Sequence, residues 1–458
     1  MTTAVALISA VCIFLVLGYR LDFKSGDVEQ GALLQFRSYP SAATITLDRE
    51  TLSFVTPGKR NVEAGEHTVT MQLNGYKTWQ KTFGVKASEL RWLNYARLIP
   101  ETVKTTAIKE LPSVSDALPS PDKKWFLIQP TVDKAEFVLV DIRDDEKPVF
   151  SQLILPAGSY TQKDGQSHQF SIEEWDFGAR YALIKHVTGD VTEYLRIDRT
   201  DVDNTVNVSS KLGVNIADIH FSGTSGSVFY ALENGSVRRL DSGAGTISQP
   251  LVKDVATFDL YKTATISYVK KPIDNKVGVG MVVDGKAVRV ATYDSTMPIQ
   301  VDIAEYFNDY YLAIGRGTSV QIFKDPETTE RKKLVSFATT SAISWLRFSN
   351  SGRFVTSGTG SQFTNYDLET TEKAEVNLPG NVPDPAKPLQ WIDDYYLAST
   401  GDNDLRLTEF DGANQHVITS ALAGFPVTLN DDGKLLYSLG KTQSGAFVLQ
   451  ASQMTVDK

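Results

Sequence analysis

Residues 196–198 read Arg196-Ile197-Asp198, and the same pattern, an apolar strand closed by Asp, returns at Arg239-Leu240-Asp241, Val282-Val283-Asp284, Ile322-Phe323-Lys324-Asp325, Asn365-Tyr366-Asp367 and Glu409-Phe410-Asp411. Successive copies are 41 to 44 residues apart. A fixed period of this length is typical of a repeat architecture. The chain is therefore expected to stack similar structural units one after another.

Two further strands precede each closing strand. In a late copy, the aromatic stretch at residues 343–348 is followed by an apolar stretch at 353–357, and turn sequences such as Asn430-Asp431-Asp432-Gly433 link such pairs. Strand-rich repeats of this period indicate a β-propeller. The earlier copies are expected to start near Trp125, Trp175, Phe221, Phe258 and Phe307.

The closing strands also give the number of repeats. Two more copies end at Asp141 and near Gln450, which predicts an eight-bladed propeller over residues 101–458, with seven blades as the alternative if the first copy is not a full sheet. The last copy stops soon after its third strand, so residues 103–108 are expected to supply its outer strand and close the ring. The recurrent Asp is expected to accept backbone hydrogen bonds in the turn that follows.

The composition is that of a folded body with few electrostatic partners. Hydrophobic residues make up 41% of the chain, which is enough for a large core. Its length of 458 residues indicates more than one domain. A net charge of −9 argues against nucleic acid as a partner. The single cysteine, Cys12, leaves the body without a disulfide or a thiolate metal site.

An uncharged apolar stretch occupies residues 4–19. At ~1.5 Å per residue it covers most of a ~30 Å hydrocarbon core, so we expect a single-pass transmembrane helix over residues 1–22 and a linker over 23–34. A cleaved signal peptide would need a basic n-region, and lipoprotein processing at Cys12 is a further alternative. The positive charges of Arg20 and Lys24, taken alone, favour a cytoplasmic body.

Residues 35–100 indicate a separate small antiparallel β-sandwich, because its strands alternate between apolar and polar residues and are separated by turn sequences. Four blocks occur in the order Ser38-Tyr39-Pro40-Ser41, Thr56-Pro57, Ala64-Gly65-Glu66-His67 and Asn74-Gly75-Tyr76-Lys77-Thr78-Trp79. In order and spacing they resemble the PEGA domain, with two departures. The four-residue core reads Pro40-Ser41-Ala42-Ala43, and Arg49 stands where the family often has Gly. The resemblance implies a cell-surface or envelope protein with an extracytoplasmic body and no catalytic role.

Two aromatic residues of this segment have a structural interpretation. We expect Tyr76 and Trp79 to lie in the core of the small domain rather than to stack on a sugar. The repeats that follow look like those of WD40-type and TolB-like propellers, although no Gly-His or Trp-Asp pair recurs at the repeat period.

No pattern of catalytic or metal-binding residues stands out. The five histidines, none at the spacing of metal ligands, are His67, His168, His186, His220 and His416. A Gly-x-Ser-x-Gly nucleophile motif is missing, and acid pairs such as Asp393-Asp394 are expected in turns rather than at Ca²⁺. We therefore expect no enzyme activity, no cofactor and no metal site.

One repeat is longer than the others, because Asp141 and Asp198 are 57 residues apart. The excess predicts an inserted loop at residues 156–169, and long loops on rigid scaffolds often carry binding. Tyr160, Gln162 and Lys163 are the predicted binding residues. The favoured function is a membrane-anchored, non-catalytic envelope scaffold for a protein or cell-wall glycan. The alternatives are a propeller-based envelope hydrolase and a structural surface-layer component.

Overall fold

A computed structural model describes residues 19–21, 28–380, 382 and 384–456. The predicted anchor lies mostly outside these residues, while Tyr19–Leu21 (β1) and Val28–Gln30 (β2) pair as an antiparallel ribbon. Within the described part of the chain, no helix has the length and apolar character needed to cross a membrane. Strands contain 56% of the residues and helices 3%, which confirms the all-β prediction.

The described residues form two compact units. Unit 1 extends to residue 104 and includes the chain again from residue 453, whereas unit 2 comprises residues 105–452. In unit 1, the backbone N–H of Val456 donates to the Tyr76 hydroxyl at 2.7 Å, so the last described residues belong to the small domain.

Apart from the β1–β2 ribbon, the described part of unit 1 contains two sheets, with strand orders β6-β3-β9 and β5-β4-β7-β8. Its strands are β3 Ala32–Tyr39, β4 Thr44–Leu47, β5 Glu50–Val55, β6 Gly58–Val62, β7 Gly65–Gln72, β8 Trp79–Val85 and β9 Leu90–Arg97. One pair departs from the predicted antiparallel arrangement, because β3 and β9 are parallel. Between β3 and β9 the chain also forms the strands of the other sheet. This long connection lets β3 and β9 run in the same direction.

The core of unit 1 confirms the interpretation of its aromatic residues. Trp79 is 1% and Tyr76 8% exposed, and both pack in one cluster with Leu34 and Ile45. Strand β8 alternates strictly between buried and exposed residues, as expected of a strand with one face on a core.

Unit 2 consists of four-stranded antiparallel sheets that follow one another along the chain, and the described residues of this unit form eight of them. Sheets 1 to 4 comprise β11 Asp116–Pro119, β12 Trp125–Gln129, β13 Glu136–Asp141 and β14 Val149–Ile154; β15 His168–Trp175, β16 Tyr181–Thr188, β17 Val191–Asp198 and β18 Val206–Asn207; β19 Ile216–Phe221, β20 Val228–Glu233, β21 Ser236–Asp241 and β22 Thr246–Ile247; and β23 Val255–Tyr261, β24 Thr265–Lys270, β25 Lys276–Val283 and β26 Lys286–Asp294.

Sheets 5 to 8 repeat this order, except that the last one also takes a strand from the start of the unit. They comprise β27 Ile299–Tyr306, β28 Asp309–Arg316, β29 Ser319–Lys324 and β30 Lys332–Ala338; β31 Trp345–Phe348, β32 Phe354–Thr359, β33 Gln362–Asp367 and β34 Lys373–Asn377; β35 Gln390–Trp391, β36 Tyr396–Ser399, β37 Asp404–Glu409 and β38 His416–Ser420; and β39 Thr428–Leu429, β40 Leu435–Lys441, β41 Phe447–Gln453 and β10 Thr105–Leu111. The helical segments are α1 Val208–Leu212 and 3₁₀ turns at Ala157–Ser159, Val202–Asn204 and Gly401–Asn403.

Neighbouring sheets pack face to face, and the last packs on the first. Trp125 of sheet 1 shares a buried cluster with Ala182 of sheet 2. Tyr437 of sheet 8 lies with Phe126 of sheet 1 in another. The eight sheets of unit 2 thereby form a closed ring. First strands of successive sheets also contact each other, as β11 with β15 and β27 with β31.

The predicted closure is confirmed. Strand β10 pairs with β41 along its length, and the Thr105 and Ser452 hydroxyls lie 2.8 Å apart across the seam. The strand covers residues 105–111 rather than 103–108, because a register shift between Ala107 and Lys109 lets pairing continue to Leu111.

Several of the closing Asp residues act as predicted. Asp198 accepts a hydrogen bond from the Thr200 backbone N–H at 3.0 Å, and Asp367 accepts one from Glu369 at 2.9 Å. These bonds fix the turn that leads into the fourth strand.

Two of the expected repeat starts are wrong. Trp125 begins the second strand of sheet 1, whose first strand, β11, contains no aromatic residue. Phe307 lies in the turn between β27 and β28 and is 77% exposed. In both sheets the aromatic residue marks a position other than the first strand.

Candidate functional site

The insertion in sheet 2 is a short loop held against its own sheet. Strand β14 ends at Ile154 and β15 begins at His168, so His168 and Gln169, predicted as loop, belong to the strand. We call residues 155–167 the insertion loop. One turn of 3₁₀ helix at Ala157–Ser159 lies near its start.

Tyr160 is a packing residue of this loop. Its ring meets those of His168, Phe170 and His186 edge-on, with centroids 5.8, 5.2 and 5.2 Å away. Edge-to-face contacts at this distance stabilise aromatic pairs. Of the three predicted binding residues, Tyr160 therefore positions the loop.

The other two predicted residues lie on the outer side of the loop. Gln162 is exposed, and its side-chain amide reaches only the Ala157 carbonyl, at 3.5 Å. The Lys163 ammonium pairs with Asp190, which lies in the turn between β16 and β17. The structure thus brings Lys163 and Asp190 together at the end of sheet 2, whereas Gln162 contacts only its own loop.

A buried carboxylate anchors the loop from below. Glu193 is 2% exposed and accepts four hydrogen bonds. Two come from Thr161, through its backbone N–H at 2.7 Å and its hydroxyl at 2.8 Å. The others come from His186 Nδ1 at 2.8 Å and Asn207 Nδ2 at 2.6 Å. Burial alone would raise the pKa of Glu193, but these hydrogen bonds lower it to about 2.

His186 also touches a second histidine. His168 Nδ1 and His186 Nε2 are 2.9 Å apart, and the two rings are stacked. The composition of this cluster was missed at the sequence level, although a signal exists. His186 and Glu193 are equally distant from the Gly189-Asp190 turn, and hairpin register pairs them directly.

Carboxylates on the first strands join neighbouring sheets. Asp116 accepts hydrogen bonds from the backbone N–H of Ala117 at 2.8 Å and of Ile172, in the next sheet, at 3.2 Å. Asp302 accepts the Phe348 N–H of the next sheet at 2.7 Å. The oxygens of these acids are thus used to satisfy backbone donors at strand edges.

A cavity of about 790 Å³ lies within unit 2, a volume in the range of small-molecule sites. Its walls are the first strands of sheets 1, 7 and 8 and the connections between sheets 6, 7 and 8. Trp391, Phe425 and Pro426 supply apolar surface. Lys123, also in the lining, donates to the Ile392 carbonyl at 3.2 Å.

The insertion loop and part of the cavity wall lie at the same end of the sheets. In a four-stranded antiparallel sheet, the connection to the next sheet emerges at the same end as the turn between strands two and three. The Phe170 N–H accordingly donates to the Val132 carbonyl in the β12–β13 turn at 2.7 Å. The connection that contains Val382 and residues 384–388 and the connection at residues 424–427 line the cavity and emerge at that end too. We call this end the connection face.

The described part of the chain contains no cluster of three or more His, Cys, Asp or Glu side chains that could hold a metal ion.

Known proteins resemble each unit. The PEGA domain model matches residues 32–98. A solved structure of the Dos1 propeller covers 77% of this chain and 95% of its own, with a TM-score of 0.50 and 12% sequence identity, so the likeness concerns the fold alone. No curated protein matches the chain. Residues 32–98 are thus a PEGA domain, and unit 2 has a β-propeller fold.

Proposed function

We propose that this protein is a membrane-anchored, non-catalytic scaffold of the cell envelope that binds an envelope protein or a cell-wall glycan through the connection face. Residues 1–22 are the anchor, and the PEGA domain acts as a spacer or wall-contact module. The eight sheets of unit 2 are the eight blades of one propeller with WD40-like or TolB-like repeats. The body faces the outside of the cytoplasm.

The packing of sheet 8 on sheet 1 supports the blade count. A ring of sheets that takes its last outer strand from its own start has no open edge at the seam. Such a ring is a rigid platform, and rigid platforms with loops at one end suit binding.

The main support for binding is the pre-organised insertion loop. Thr161 is fixed twice to Glu193 and Tyr160 is packed on a stack of rings, while Gln162 points outward. A loop that is already ordered loses little conformational entropy when a partner binds. Polar groups on such a loop can therefore contribute most of their interaction free energy to affinity.

Two carboxylates that line the cavity argue against the hydrolase alternative. A general acid or base needs a lone pair or proton directed at the substrate. Asp116, at the cavity, uses its oxygens to bind two backbone N–H groups. Asp384, in the same lining, accepts the Ala386 N–H at 3.0 Å. Both acids have a structural role in holding backbone.

Site-specific photo-crosslinking in intact cells tests the binding proposal. A benzophenone amino acid replaces Gln162 in the full-length protein, and the matched control replaces Glu330, an exposed residue between β29 and β30 at the opposite end of the sheets. We expect a discrete adduct at position 162 and none at 330. No adduct at 162, or equal adducts at both positions, would contradict binding at the connection face.

Protease treatment of intact and lysed cells tests the location. Digestion of the body in intact cells is the expected result. Protection until lysis would overturn the extracytoplasmic assignment and favour the orientation suggested by Arg20 and Lys24.

A further inference from the structure

Four hydrogen-bond donors determine the charge state of Glu193, which lies beneath the insertion loop. Both Glu193 oxygens are occupied, one by Thr161 N–H and His186 Nδ1, the other by the Thr161 hydroxyl and Asn207. A carboxylate that only accepts is ionised, so His186 must carry its proton on Nδ1. Its Nε2 is the atom that meets His168.

The contact between the two histidines holds one proton. At 2.9 Å, His168 Nδ1 and His186 Nε2 are hydrogen-bonded, which requires a proton on one nitrogen and a lone pair on the other. A neutral pair meets this requirement, and so does a pair with one positive charge. A pair with two charges places N–H groups head to head, and the contact is lost.

The neighbouring groups add no third titrating partner at this contact. His168 comes from β15, His186 from β16 and Glu193 from β17, while Asn207 contributes an uncharged amide. From the loop come Tyr160 and Lys163, whose ammonium is paired with Asp190. Lys185 of β16 lies over the Tyr194 ring, 6.0 Å from its centroid.

We propose that the His168–His186 pair is a pH-sensitive latch: it holds the insertion loop closed while the two rings share one proton, and releases the loop when both rings are charged. Tyr160 transmits the change because its ring rests on both imidazoles. Thr161, the next residue, binds Glu193, which stays ionised throughout. The effect of the latch on binding rests on the proposed function. Release of the loop in acid weakens binding of the partner by the loop.

Acid drives the release, because the second proton enters the pair against the charge of the first. Once the open loop is doubly protonated, the closed loop binds one proton fewer than the open one. The protection of the Thr161 amide should then fall by about ten-fold per pH unit.

Hydrogen–deuterium exchange of residues 157–167 in the full-length protein tests the latch from pH 7.5 to 4.5, after correction for intrinsic exchange rates. We expect wild type to lose protection in acid. His168→Phe keeps an aromatic ring and removes the shared proton, so its protection should not depend on pH. Lys163→Met removes only the ion pair with Asp190 and should keep the wild-type slope.

A flat wild-type profile, or a slope retained in His168→Phe, would overturn the latch. Should His168→Phe lose protection already at pH 7.5, ¹⁵N imidazole signals of the five histidines in wild type give a second test. Two coupled protonation steps shared by His168 and His186 are expected, and two independent single steps would contradict the latch. Exchange needs no partner, so a failed latch and a failed cross-link at Gln162 are separate results.

Discussion

His220 of β19 donates a hydrogen bond from Nδ1 to Glu174 of β15 at 2.9 Å and so joins the first strands of sheets 2 and 3. Asp218 lies on its other side, with 3.8 Å between Nε2 and a carboxylate oxygen. Burial alone would lower the pKa of His220, but the carboxylates of Asp218 and Glu174 raise it to about 10. The imidazolium is a cation fixed between two carboxylates.

This arrangement predicts a loss of stability in alkaline solution. A folded-state pKa above the unfolded value of about 6.5 means that the contribution is complete below pH 6.5 and is lost as the pH rises toward 10. His220→Gln should remove about 2 kcal/mol at pH 6 and little at pH 10. Thermal unfolding of unit 2 at several pH values measures this. His416→Gln is the matched control, and an equal pH slope in wild type and His220→Gln would contradict the assignment.

The second prediction concerns a buried arginine of sheet 6. Arg353 is 12% exposed in its side chain and binds Asp367 through Nε at 2.8 Å and Nη2 at 2.6 Å, while Nη1 lies 2.6 Å from Glu369. Removing one partner leaves buried charge unpaired, so Arg353→Met should destabilise unit 2 by about 3 to 5 kcal/mol. Denaturant unfolding measures the change.

A matched variant separates burial from the ion pair itself. Arg143 makes the same fork-like contact with Asp141 in sheet 1, but its side chain is 58% exposed. Arg143→Met should leave the unfolding midpoint almost unchanged, because solvent screens an exposed ion pair. Equal losses in the two variants would show that burial does not decide the effect.

The third prediction is a covalent seal across the ring closure. Thr105 and Ser452 are direct partners of β10 and β41, yet they are 347 positions apart in sequence. With Cys12 replaced by Ser, Thr105→Cys with Ser452→Cys should form a disulfide under oxidation and stabilise unit 2 by about 3 to 5 kcal/mol. The oxidised and reduced forms of the double variant are compared by thermal unfolding. An unchanged midpoint on oxidation would contradict closure by this strand pair.

The fourth prediction concerns the hairpin between β32 and β33. A Cβ on Gly358 would lie 2.1 Å from the Gln362 carbonyl oxygen, so Gly358→Ala must shift backbone. It should destabilise unit 2 by about 2 kcal/mol or more. Gly84→Ala in β8 meets nothing within 4 Å and should change stability by less than about 1 kcal/mol. Unfolding of each unit by denaturant compares the two, and a neutral Gly358→Ala would contradict the close packing of this hairpin.

The repeat period of the sequence predicted most of the fold. Asp closes seven of the eight copies and marks the turn after the third strand, where Asp198 and Asp367 each accept a backbone hydrogen bond. The fourth strands were not marked in this way. Strand β22 has two residues, Thr246 and Ile247, both exposed, so no buried pattern distinguishes it from a loop.

The candidate site was predictable in place but not in detail. The interval of 57 residues between Asp141 and Asp198 located the insertion. The role of Tyr160 depends on the positions of His168 and His186 in the folded sheet. The sequence of the loop alone does not give these positions. Bonds such as that from the Phe348 N–H to Asp302 join residues 46 positions apart in different sheets. Local pattern carries no information about such contacts.

Closure by β10 also sets an order of events during synthesis. Thr105 leaves the ribosome 347 residues before its partner Ser452. At about 5 to 20 residues per second, β10 waits roughly 20 to 70 s for β41. Throughout that time, the backbone donors and acceptors of an exposed strand edge are open to other chains. The nascent propeller is therefore most prone to misassembly just before its last three strands emerge, and a chaperone that shields residues 105–111 would act at that stage.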